Sequence, residues 1–126
     1  MLRRRLASTL IGLSAFVLSA AAFAHPKLVS STPADKAQGA APASIQLIFS
    51  EGLMHQLSGA DLVMTAMPGM TMAPEKVAST VAPSADAHTL VVTPAQPLVQ
   101  GSYRVDWHVV STDTHAVKGT LSFEVK

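Results

Sequence analysis

The chain has 126 residues, nine Lys and Arg against eight Asp and Glu, and no cysteine. Three of the arginines stand at positions 3–5; once that leader is removed, six basic residues face eight acidic ones, a net charge of about −2. That balance argues against a nucleic-acid partner, which calls for a basic face. Without cysteine no disulfide can brace the fold, and soft metal ligands have to come from methionine.

Residues 1–24 read as an export signal: Arg3, Arg4 and Arg5, an apolar run from Leu6 to Ala21, then the small-x-small cleavage site Ala22-Phe23-Ala24. A permanent membrane anchor would need about 20 continuous apolar residues with a stop-transfer flank, so none is expected. Cleavage would make His25 the first mature residue and leave one domain, residues 25–126, of ordinary size.

From His25 onward the pattern is all-β. Lys27 to Ser31 reads as a short edge strand, followed by turns at Thr32-Pro33-Ala34-Asp35 and Gly39-Ala40-Ala41-Pro42. Ser44 to Ser50 alternates, with Ile45, Leu47 and Phe49 on one face. Further strands are expected over Ala60 to Ala66, Val77 to Val81, Thr89 to Thr93 and Ser102 to Val110. In the last of these Tyr103, Val105, Trp107 and Val109 face in, while Arg104, Asp106 and His108 face out. Thr120 to Val125 closes the series with Leu121, Phe123 and Val125 inward. Seven short strands separated by turn residues predict a Greek-key β-sandwich or barrel of immunoglobulin-like kind.

Met64, Met67, Met70 and Met72 place four thioethers within nine residues, around the Pro68-Gly69 pair. That pair breaks helices and central strands, so the sulfurs are expected on a turn or loop rather than a core stripe. Thioether sulfur favours Cu(I), whereas calcium and magnesium require oxygen; a hydrophobic interaction loop is the other reading of exposed methionine. Met54 and His55, in the Gly52 to Ser58 loop, could approach either end of the domain.

After cleavage His25 would carry a free α-amine beside its imidazole, two nitrogens able to chelate one ion. Pro26 has no N–H to deprotonate, so further ligands must come from elsewhere in the fold. Asp113 and His115 are two apart, on one face if that segment is extended. An amine, two imidazoles and a carboxylate make the tetragonal N,O set that Cu(II) prefers. The alternative is a turn-capping Asp beside a surface His. His88 and His108 are expected to be surface side chains, not ligands.

His25-Pro26-Lys27-Leu28, Phe49-Ser50-Glu51, Ser58-Gly59-Ala60, the Met64 to Met72 stretch, Gly101-Ser102-Tyr103-Arg104-Val105-Asp106-Trp107 and Asp113-Thr114-His115 together resemble the CopC family of periplasmic copper-resistance proteins. The resemblance runs over the whole mature chain. It implies a cupredoxin-like Greek-key barrel with copper sites at opposite ends: Cu(II) on His25, Asp113 and His115, with Glu51 near them as a variable ligand, and Cu(I) on the methionine stretch. One departure is Met72, where the family typically has a histidine; another is the lack of a further Met near Glu75. Both imply an all-thioether Cu(I) set drawn from Met64, Met67, Met70 and Met72.

The expected function is therefore a periplasmic copper carrier rather than an enzyme, buffering Cu(II) and Cu(I) and passing copper to an inner-membrane transporter or a periplasmic copper protein. Two other readings stand beside it. One is a copper-dependent oxidative enzyme built on the N-terminal histidine chelate; the other is an adhesive β-sandwich without metal.

Overall fold

The computed structural model describes residues 25–126; the leader expected at 1–24 lies outside the described residues. Nine strands follow in order: β1 Leu28–Thr32, β2 Ala37–Gly39, β3 Ile45–Phe49, β4 Gly59–Met67, β5 Met70–Val77, β6 Ser79–Pro83, β7 Thr89–Pro94, β8 Gly101–Val110 and β9 Ala116–Val125. A single 3₁₀ turn, His55–Leu57, lies between β3 and β4.

The strands form a four-stranded sheet, β1-β3-β7-β6, and a five-stranded one, β2-β9-β8-β4-β5. All neighbours are antiparallel except β2, which runs parallel to β9. Each sheet turns one apolar face inward, because side chains alternate along a strand and only one face can be shielded from water. Ile45, Leu47, Phe49, Leu90 and Val92 from the smaller sheet meet Leu62, Val105, Trp107, Val109, Leu121 and Phe123 from the larger. Phe49 and Trp107 join the layers edge to face, with ring centroids 5.1 Å apart. Tyr103 stacks on its cross-strand partner Phe123 at 5.4 Å and donates its hydroxyl to the Val99 carbonyl at 2.6 Å. That bond ties the loop before β8 to the core in the manner of a tyrosine corner.

Seven strands were expected and nine are present among the described residues. The run read as one strand, Val77 to Val81, is broken at Ala78: β5 ends in one sheet and β6 begins in the other. β5 itself carried no readable signal, because it is a largely exposed edge strand containing Pro74. β2 is three residues of Ala-Gln-Gly, too short and polar to alternate. β9 begins at Ala116 rather than Thr120, since its first half is mostly exposed and shows no apolar period.

Candidate metal centres

β8 is ten residues long, so its two ends lie about 30 Å apart at the rise of an antiparallel strand. The histidine candidates collect at its Val110 end and the methionine turn at its Gly101 end.

At the histidine end the His25–Lys27 segment is held by its neighbours. Pro26 is fully buried beside an exposed His25. Lys27 donates its N–H to Ser50 Oγ at 3.0 Å, and Ser50 N–H returns a bond to the Lys27 carbonyl at 2.8 Å. His25 is thereby brought against His115, with ring centroids 4.9 Å apart and planes tilted by 53°. Two imidazoles bound at right angles to one ion would have centroids within about 5 Å, so the spacing suits a shared ion.

Asp113 and His115 do come together, but not as alternate residues of an extended strand. Ser111–His115 is a tight turn in which Ser111 N–H donates to the His115 carbonyl at 2.9 Å and Thr114 N–H to the Ser111 carbonyl at 2.8 Å. Thr114 takes φ +70°, a left-handed conformation that a β-branched residue adopts only under constraint. The turn sets Asp113 Oδ2 at 3.2 Å from His115 Nδ1. Ligand atoms about 2.1 Å from an ion at right angles are about 3 Å apart, so this pair fits adjacent positions on one ion. The Ser111 hydroxyl donates to Asp113 Oδ1 and is the chief reason that the carboxyl is held below its ordinary range. Partial desolvation opposes that shift, and His115 adds to it.

Glu51 is half-buried on the adjoining loop, next to Gly52, whose carbonyl accepts the Thr112 N–H at 2.9 Å. It makes no ion pair with the trio among the described residues. Nor do any three His, Asp or Glu side chains among the described residues already form a closed ligand set.

Met54 and His55 lie at this same end: Met54 N–H donates to the Val110 carbonyl at 2.8 Å, and His55 Nε2 sits 3.2 Å from the Thr89 carbonyl oxygen. His88 is engaged with Asp86 at 3.2 Å, and exposed His108 covers Gly59. The contributor that sequence reasoning missed is Ser111. Its only signal was a small hydroxyl residue two positions ahead of an Asp, which is too common in turns to stand out.

At the other end Pro68-Gly69 forms the expected turn, but the methionines themselves lie on the β4 and β5 strands of the hairpin, with Met67 and Met70 paired directly across it. Gly69 takes φ +68°, which glycine meets at no steric cost. The four sulfurs sit at graded depth. Met67 and Met70 are 40% and 59% exposed, Met72 is half-buried against the core, and Met64 is 8% exposed within it. Met64 therefore departs from the expectation that all four would avoid the core. It faces inward opposite Tyr103 and fills a gap, the ordinary use of methionine. Its methyl group still extends toward the turn, reaching 3.1 Å from where a side chain on Gly101 would begin. The pairing of β4 with both neighbours is irregular between Met64 and Ala66, where the register skips Thr65. A groove of about 480 Å³ runs beside the turn, lined by Met67, Gly69, Gln100 and Lys126 among others.

Residues 28–126 match the CopC domain. The chain belongs to the CopC family. Copper resistance protein C from Xanthomonas campestris pv. juglandis is 57% identical over 123 residues, 98% of this chain and 97% of that protein. Its namesake from Pseudomonas syringae pv. tomato is 52% identical over the full length of both. Among solved structures, PcoC, a methionine-rich copper resistance protein from Escherichia coli, superposes with a TM-score of 0.76 at 50% identity, covering 82% of this chain and all of that one.

Proposed function

We propose that this CopC-domain protein is a periplasmic copper carrier, exported by cleavage before His25, that buffers copper and passes it to an inner-membrane transporter or a periplasmic copper protein. His25, Asp113 and His115 hold Cu(II), with Glu51 alongside; Met67, Met70 and Met72 hold Cu(I), with Met64 as the innermost sulfur. The observation that carries this reading is the approach of the His25 ring to the Asp113–His115 pair, far from the exposed Met67–Met70 pair. Imidazole, amine and carboxylate suit the oxidised ion, and neutral thioethers suit the reduced one. Two donor sets of different softness on one small domain match a carrier that meets copper in both states. The relatives' names, copper resistance protein C, point the same way.

A copper-dependent oxidative enzyme acting on polysaccharide would need an aromatic platform for sugars. Trp107 and Tyr103, the chain's Trp and Tyr, are both buried in the core, so neither offers a stacking face.

Titration of protein beginning at His25 should show one Cu(II) per chain. Adding a single residue before His25 removes the amine chelate and should weaken Cu(II) binding by at least about 100-fold, since even groups beyond the ligands are worth 10–100-fold. Unchanged affinity in the extended protein would overturn the assignment.

A further inference from the structure

We infer that Ser111 is a positioning residue for the Cu(II) end, acting through Asp113 and His115 rather than on the ion. The inference rests on the carrier reading above and extends it to a residue outside the ligand set.

Ser111 is 0% exposed, one of only two buried polar or charged residues in the described structure. A hydroxyl taken out of water must find partners, or its desolvation is uncompensated. The partners it has found belong to both proposed ligands. The hydroxyl donates to Asp113 Oδ1 and accepts the backbone N–H of His115 at 3.2 Å. The same oxygen lies 3.3 Å from the His115 carbonyl, a second acceptor within reach of the hydroxyl. Asp113 is then left with Oδ2 as the oxygen that faces His115 Nδ1.

The main chain of Ser111 is equally committed. Its N–H and C=O bond to His115 and Thr114, and the residue bridges to Leu53 on the neighbouring loop. Ser111 thus fastens the turn to the rigid end of β8 and to the loop that carries Glu51. Thr114, held left-handed between the two ligands, shows that this closure outweighs an unfavourable backbone state. Groups that orient metal ligands typically contribute 10–100-fold to affinity.

The test compares Ser111→Ala, Asp113→Ala and the double variant, each beginning at His25. Cu(II) affinity and the Cu(II) spin-resonance spectrum are measured, the unfolding midpoint reports that the domain is folded, and Cu(I) uptake reports the distant hairpin. Ser111→Ala should lose 10–100-fold in Cu(II) affinity with altered spectral parameters and intact Cu(I) uptake. Because Ser111 acts in part through Asp113, the double variant should lose less than the two single losses combined; independent, fully additive losses would overturn the inference. So would wild-type affinity and spectrum in Ser111→Ala. If that variant fails to fold, wild-type protein still decides the matter by nuclear magnetic resonance. The Ser111 hydroxyl proton should exchange slowly and show contact with Asp113, and a fast-exchanging one would overturn the role. Failure of the unmodified protein itself to bind Cu(II) would instead remove the carrier reading.

Discussion

The two ends of β8 present their donor atoms in opposite ways. At the histidine end the proposed ligands are held by a tight turn closed on a buried hydroxyl, by a left-handed threonine and by a buried proline next to His25. At the methionine end two sulfurs stand in solvent on a two-residue turn, with a third half-sunk and a fourth in the core. A charged N,O set for Cu(II) gains from fixed geometry, because each donor must meet the ion from a set direction. Flexible thioethers need little beyond proximity, and an unbranched side chain on an exposed hairpin supplies it.

This contrast can be broken first among the methionines, where fold and binding should separate. Met64→Ala should cost about 2–5 kcal/mol of stability, as for other large-to-small core changes. Met67→Ala and Met70→Ala should stay within about 0.5 kcal/mol of wild type while weakening Cu(I) binding. Denaturant titration alongside Cu(I) competition measures both; equal stability losses at all three positions would erase the difference in depth.

Gly119→Ala probes the packing beneath the histidine end. A Cβ there would lie 2.3 Å from the Trp107 ring, so the indole must shift. Overpacking of this kind costs about 1–3 kcal/mol, and an unchanged unfolding midpoint would show that the ring yields freely. Thr114→Asn should act in the opposite sense. Asparagine tolerates left-handed backbone far better than threonine, so stability should rise by about 1 kcal/mol. A lower melting temperature would mean that the Thr114 hydroxyl, which donates to the Asp113 carbonyl at 2.6 Å, outweighs the strain.

The smallest effect concerns pH. The His88 backbone N–H and then its ring hold the Asp86 carboxyl below its ordinary value of 3.8. A carboxylate depressed in the folded state contributes stability above its unfolded pKa and loses it as pH falls through the folded one. Asp86→Asn should therefore lower stability slightly at neutral pH and converge on wild type as pH falls below about 4, which flattens the acid limb of the stability curve. A difference of the same size at neutral and acid pH would contradict the assignment.

Much of the β-sandwich could be read from residues alone. Ile45 to Phe49, Tyr103 to Val109 and Leu121 to Val125 each bury one face and solvate the other, and that asymmetry prints a period of two directly into the chain. The edge strands β2 and β5 left no such mark, because an exposed edge imposes no apolar period. The candidate centres divide in the same way. Residue chemistry, the imidazoles and carboxylate on one side and the thioethers on the other, is local and was visible in the sequence. Depth and direction were not: Met64 went to the core through the inward alternation of β4, and Asp113 met His115 through a turn rather than a pleat. Ser111 became notable only once folding had removed water from its hydroxyl and left two proposed ligand residues as its partners. Burial and long-range pairing are properties of the closed sandwich, and no stretch of the chain carries them before the sheets meet.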